Sequence, residues 1–313
     1  MKVLVTPRSF GKTDPSAFDI LTDAGFEVVR NPSGGILSED QLKSLLADCD
    51  GIVVGVDTLT REVLASAPKL KAIAKYGVGV DNIQLDYCQE KGISVTRTVG
   101  ANADAVADFA FALMLAVARK VIPIDQRCRK GDWGKITTID VSNKTVGILG
   151  LGAIGKGVAR RAAGFGMKIL GYDVYWDEAF AKDHQVEKAD LESIYREADF
   201  ISLHLPLMPE TQNLIGKAQI DMMKPTAILI NTARGGLIDE AALLDALQNG
   251  RIYGAGIDAF SQEPLNDPAW YELENLVIGS HAAASTVGAT EQMGRMAAKN
   301  LVQSLAQTRK ENG

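Results

Sequence analysis

Residues 145–157, TVGILGLGAIGKG, limit the fold more than any other stretch of this 313-residue chain. Val146, Ile148 and Leu149 form a short apolar run with the character of a buried strand. Gly150, Gly152 and Gly155 follow as G-x-G-x-x-G, and residues 158–163 have helical character. Strand, glycine turn and helix in that order are the setting in which this motif binds a dinucleotide. The first glycine allows the tight turn, the second lets backbone approach a pyrophosphate, and the third lets helix and strand pack closely. The helix start adds unpaired N–H groups and a positive dipole end.

The next segment supports the same reading. Residues 167–172 form a further strand that ends at Asp173, near the usual spacing for an acid that hydrogen-bonds an adenosine ribose. An aspartate there favours NAD, because it repels a 2′-phosphate. Residues 150–156 also fit G-x-x-x-x-G-K, but Gly157 follows where that rival phosphate loop needs a hydroxyl for Mg²⁺.

A chain of this length suggests two domains, and 46% hydrophobic residues suffice for two cores. The net charge of −6, with no basic run, argues against a nucleic-acid partner. No apolar stretch is long enough to span a membrane. The opening Met1-Lys2-Val3-Leu4-Val5 is too short for the apolar core of a signal peptide. Cys49, Cys88 and Cys128 are odd in number and widely spaced, which reads as reduced thiols in a cytoplasmic protein. His184, His204 and His281 lack metal-ligand spacing, so no metal site is expected.

Strand and helix alternate almost throughout, so the expected class is α/β with two Rossmann-like, doubly wound parallel-sheet domains and a cleft between them. Strands are expected at 3–6, 27–30, 51–55, 72–76 and 94–96, with helices such as 16–23 and 38–47, the latter opened by a Ser38–Gln41 capping box. A long apolar helix over 103–121, capped by Asn102, follows. Six more strands are expected at 145–149, 168–172, 200–203, 227–231, 254–258 and 276–279, and a last helix at about 286–307.

Three segments carry candidate chemistry. Arg234 lies in ILINTARGG, Asp258 and Glu263 in GIDAFSQEP, and His281 in VIGSHAAAST, all at or just past strand ends, where open α/β sheets bind ligands. Hydride transfer to a 2-oxo acid needs a proton donor for the developing alkoxide, which suits histidine. It needs a planar, permanently charged partner for carboxylate and carbonyl, which suits arginine. A carboxylate beside the histidine fixes its tautomer. Singly, each residue has a plainer reading: Glu263 a solvated loop acid, Arg234 a strand-end cap, His281 a satisfied loop histidine.

Together with KYGVGVDN (75–82), GAN (100–102), SLHLPL (202–207) and PET (209–211), these motifs run in order over nearly the whole chain. The chain resembles the D-isomer-specific 2-hydroxyacid dehydrogenase family, in its phosphoglycerate dehydrogenase-like branch. The resemblance implies Arg234, Glu263 and His281 as the catalytic set. It implies cofactor contacts at Ala153, Ile154, Asp173, Pro206, Thr211, Thr232, Ala233 and Asp258, besides Gly150, Gly152 and Gly155, with Arg234 and His281 also beside the cofactor. Backbone N–H groups of Val78 and Gly79 would take the substrate carboxylate. It further implies a split substrate domain (1–99 and 285–313), an NAD domain (100–284) and a homodimer formed through about residues 100–140. Ala282 and Ala283 depart from the family pattern. Residues 55–60 lack an arginine that many phosphoglycerate dehydrogenases carry, which counts against the alternative of a D-3-phosphoglycerate dehydrogenase of serine biosynthesis. The expectation that no regulatory domain follows Gly313 counts against serine feedback. The other alternative, a non-enzymatic NAD(H) sensor, has no need for all three catalytic residues. Arg8 and Lys75, each at the end of a substrate-domain strand, are candidates for meeting a second anionic group on the substrate.

Overall fold

The computed structural model describes residues 1–311. The chain divides into two compact units, one made of Met1–Asn102 with the segment from Ser285 onward, the other of Ala103–Ala284.

In the first unit, β1 (Lys2–Val5), β2 (Glu27–Arg30), β3 (Gly51–Val54), β4 (Ala72–Lys75) and β5 (Ser94–Arg97) form one parallel sheet in the order β2-β1-β3-β4-β5. The central strands β1, β3 and β4 are apolar through their middles because helices cover both faces. Leu4, Ile52, Val54 and Ile73 enter the core on one side, while Val3, Val5, Val53, Ala72 and Ala74 enter the other. That second core is completed by Ala297, Ala298, Leu301 and Leu305 of the helix Val287–Glu311, which returns to this unit from the far end of the sequence. Ser38 opens the helix Glu39–Leu46 with the expected capping box. Helices and strands of this order place the switch point of the sheet between β1 and β3, where consecutive connections leave in opposite directions.

In the second unit, β6 (Thr145–Leu149), β7 (Lys168–Tyr172), β8 (Val186–Lys188), β9 (Phe200–Leu203), β10 (Ile228–Asn231), β11 (Gly254–Ile257) and β12 (Leu276–Ile278) form a parallel sheet ordered β12-β11-β10-β9-β6-β7-β8. Six of these strands follow the dinucleotide-binding order 3-2-1-4-5-6, with β12 added at one edge and the switch point between β6 and β9. Alternating strand residues again feed two cores: Leu149, Ile201, Leu203 and Leu229 on one face, and Val146, Ile148, Phe200, Ile228 and Ile230 on the other. The second face is covered by the helix Ala103–Ala118, which lies so close that a Cβ on Gly256 would stand 2.8 Å from Leu113 Cβ.

Three local expectations are corrected. A strand not expected from sequence, β8, lies at the edge; it has only three residues with Val186 alone buried, too short for an apolar pattern. The long helix stops at Ala118 instead of 121, and a second one spans Val121–Arg129. Pro123 cannot continue an α-helix across the preceding turn, and Lys120 takes a left-handed conformation at the break (φ 48°). Asn102 does not cap: its Oδ1 is buried without a partner among the described residues.

Candidate active site

At the switch point of the second sheet, Gly150 takes φ +99°, which only glycine adopts readily. A Cβ there would stand 2.7 Å from the His204 carbonyl oxygen, and one on Gly155 only 1.9 Å from the Gly150 carbonyl oxygen. The two glycines therefore pull the turn onto the end of β9 and the helix Ala153–Gly164 onto the turn. Gly152, by contrast, faces open space, with nothing within 4 Å of the position a Cβ would take. It also begins that helix without any side-chain cap, leaving the dipole end for a ligand. Asp173, at the end of β7, accepts Leu151 N–H at 2.6 Å and Tyr175 N–H at 2.8 Å, so its carboxylate is fixed across the glycine turn. Thr211 donates its hydroxyl to the Pro206 carbonyl at 2.7 Å, and Ala233 N–H donates to Asn231 Oδ1 at 3.0 Å. Thr232 Oγ1 and His204 Nδ1, at the ends of neighbouring strands, are buried without partners among the described residues. Burial pushes the His204 ring down to about 3, so it is neutral. An open glycine cradle, a bare helix start, an anchored carboxylate and an unpartnered hydroxyl suit a dinucleotide.

Arg234, Glu263 and His281 follow β10, β11 and β12, three adjacent strands, and backbone contacts lace their loops together. Asp258 N–H bonds the Asn231 carbonyl at 2.8 Å, and His281 N–H bonds the Asp258 carbonyl at 2.9 Å. Gly235 fits only because it has no side chain: a Cβ would lie 2.1 Å from the backbone of Phe260 and Ser261. Glu263 in turn accepts Phe260 N–H at 2.9 Å. Its two oxygens lie 3.1 and 3.0 Å from His281 Nδ1, so the carboxylate holds one ring nitrogen. Nε2 has no partner among the described residues. Arg234 has an extended backbone, and its guanidinium reaches the Ala233 carbonyl at 2.7 Å.

Asp258, which the resemblance places beside the cofactor, lies just past β11 against the His281 loop. Its side chain is 1% exposed, and its oxygens accept Ala282 N–H at 3.0 Å and Ala283 N–H at 2.9 Å. Burial raises its pKa above the usual carboxylate range, while those two N–H groups favour the charge. Its partners are thus in the His281 loop, and it keeps His281 in its left-handed conformation (φ 57°), a strained state that persists only when its surroundings enforce it. Nothing in the sequence separates this positioning role from a cofactor contact.

In the first unit, Val78 and Gly79 follow β4, and their N–H groups donate to nothing among the described residues. Two adjacent N–H groups left unpaired beside glycines are donors that an anion can use. Lys75 is 8% exposed and donates to the Gly55 carbonyl and to Asn82 Oδ1, both at 2.6 Å. That buried position withdraws it from the role of meeting a second anion. Arg8 is exposed.

Residues 111–283 match the model of the D-isomer specific 2-hydroxyacid dehydrogenase family, NAD binding domain. A glyoxylate reductase of Korarchaeum cryptofilum is 46% identical over 264 residues, 82% of this chain and 79% of that protein. A D-3-phosphoglycerate dehydrogenase of Methanocaldococcus jannaschii is 40% identical over 92% of this chain but only 56% of its own length. A D-lactate dehydrogenase from Aquifex aeolicus, solved with NAD and lactic acid, is similar over 99% of this chain and 96% of that one, with a TM-score of 0.84 and 31% identity.

Proposed function

The chain belongs to the D-isomer specific 2-hydroxyacid dehydrogenase family, and from that premise we infer that Arg234, Glu263 and His281 carry its chemistry. The protein is an NAD-dependent oxidoreductase that interconverts a small D-2-hydroxy acid and its 2-oxo acid. The observation that carries the assignment of residues is the Glu263 carboxylate on His281 Nδ1. It leaves Nε2 as the ring nitrogen that exchanges a proton with substrate.

NADH, when bound, supplies the hydride that adds to the substrate's carbonyl carbon. His281 donates a proton from Nε2 to the developing alkoxide and recovers it when the hydroxy acid is oxidised. Glu263 keeps Nδ1 as a donor and offsets the positive charge of the protonated ring. Arg234 offers a planar set of donors to the carboxylate and carbonyl oxygen. Asp258 positions His281, and the Val78 and Gly79 N–H groups take a carboxylate. Residues 150–155, Asp173, Pro206, Thr211, Thr232 and Ala233 hold the dinucleotide. The first unit then serves as the substrate-binding domain and the second as the NAD-binding domain. NADH oxidation followed at 340 nm against glyoxylate, pyruvate and hydroxypyruvate tests the reading. Turnover of at least one supports it, and none with any 2-oxo acid overturns it.

Asp173 sets the cofactor preference. Its carboxylate would stand close to a 2′-phosphate, with no cation following it. NAD(H) is therefore expected to exceed NADP(H) in kcat/KM by roughly tenfold or more, and Asp173→Ala is expected to shrink that ratio. Equal efficiency with both cofactors in the wild type would contradict this.

A homodimer and a cytoplasmic location complete the proposal. The helix Val121–Arg129 has no buried residue, and Val121, Ile122 and Trp133 are 53%, 41% and 80% exposed. A second copy covering this surface would remove that apolar area from water. Light scattering should give about twice the chain mass of 33.5 kDa. A single-chain mass at micromolar concentration counts against it. Cys49, Cys88 and Cys128 are free, as suits a reducing compartment, and burial pushes the first two thiols up to about 11, which leaves them unreactive.

A further inference from the structure

The first sheet has its own switch point, between β1 and β3, and open α/β sheets bind ligands outside the carboxyl ends of the strands at such a point. Arg8 sits there, just beyond β1. The backbone beneath it is held on both sides. Pro7 packs against Gly55 at the end of β3, within 3.4 Å of where a Cβ on Gly55 would lie. Ser9 bonds the Tyr76 hydroxyl at 3.0 Å, and Phe10 N–H closes a turn onto the Pro7 carbonyl at 3.2 Å. The side chain above this fixed turn is exposed and has no hydrogen bond or ion pair among the described residues.

Two acids tied to this turn or close to it in the chain are already engaged. Asp57, 2% exposed, takes the Thr6 hydroxyl and Leu37 N–H. Asp14 takes Ser16 and Arg295. A guanidinium carried on a fixed turn at a switch point, with Asp57 and Asp14 bonded elsewhere, has capacity for an external oxyanion. The free N–H groups of Val78 and Gly79 follow β4, two strand positions from β1 in the same sheet, or about 10 Å at the usual strand spacing. An arginine stem and a short substrate together span that distance.

We propose that Arg8 selects 2-oxo acids that carry a second oxyanion on their substituent, whether carboxylate, sulfonate or phosphate. This rests on the 2-oxoacid reductase reading above and names the substrate class within it. The test compares kcat/KM with NADH for oxaloacetate, sulfopyruvate and phosphohydroxypyruvate against that for glyoxylate. The wild type should favour at least one of the three. Arg8→Ala should lower that preference ratio roughly ten- to hundredfold, the range of a charge-assisted hydrogen bond. Arg8→Lys should restore part of it, because charge survives but the planar fork does not. Lys12→Ala, which removes an equal exposed charge nearby, should leave the ratio in place. The proposal is overturned if glyoxylate is the best substrate of the wild type, if Arg8→Ala leaves the ratio unmoved, or if Lys12→Ala moves it as far. A wild type that reduces no 2-oxo acid at all sinks the reductase reading instead, a distinct result.

Discussion

His281→Ala is expected to cut turnover by roughly 10²–10⁴-fold while NADH still binds with near wild-type affinity, because the ring is asked only to move a proton. The loops after β10, β11 and β12 keep their backbone bonds in this variant, since Asp258 bonds main-chain groups at residues 281–283. Stopped-flow fluorescence of NADH and single-turnover reduction separate the two quantities. Equal losses in binding and chemistry would point to collapse of the loop. Glu263→Gln refines the test. A glutamine amide can donate to Nδ1, which leaves the proton on Nε2 and opposes its use as a base. Turnover should then fall in both directions, with kcat/KM for oxidation and reduction falling together because the equilibrium constant fixes their ratio, while NADH binding is kept. Wild-type turnover in Glu263→Gln would remove Glu263 from its assigned role.

Arg234→Ala is expected to lower kcat/KM for every 2-oxo acid by roughly 10²–10³-fold, the scale of losing a donor to a developing oxyanion. Arg234→Lys should recover only a minor part, because an ammonium cannot present parallel donors to carboxylate and carbonyl. The loop should survive either change. Its shape depends on Gly235 against the Phe260 backbone and on Asn231 bonding the Arg234 carbonyl at 2.7 Å, neither of which uses the guanidinium. Wild-type kcat/KM in Arg234→Ala would exclude it from the substrate.

The sequence carried the fold wherever a local signal had a single physical meaning. An apolar run followed by G-x-G-x-x-G has few alternatives, and Ser38 with Gln41 can satisfy only a helix start. The signals failed where the partner lies far along the chain. Lys75, at a strand end, is a candidate anion partner in sequence, but its ammonium is held by the Gly55 carbonyl and Asn82. The bonds of Asp258 to a loop more than twenty residues away leave no local mark in the sequence. β8 has too few apolar residues to announce itself. At the candidate site, residue types and strand-end positions were legible, whereas the closeness of Glu263 to His281 Nδ1 emerges only when β11 and β12 lie side by side.

The most direct test of the central claim is the configuration of the product. The purified enzyme, NADH and a panel of prochiral 2-oxo acids are incubated together, and each hydroxy acid formed is resolved by chiral chromatography. NADH-dependent formation of the D isomer alone is expected for every acid reduced. An L or racemic product, or no hydroxy acid from any member of the panel, contradicts it.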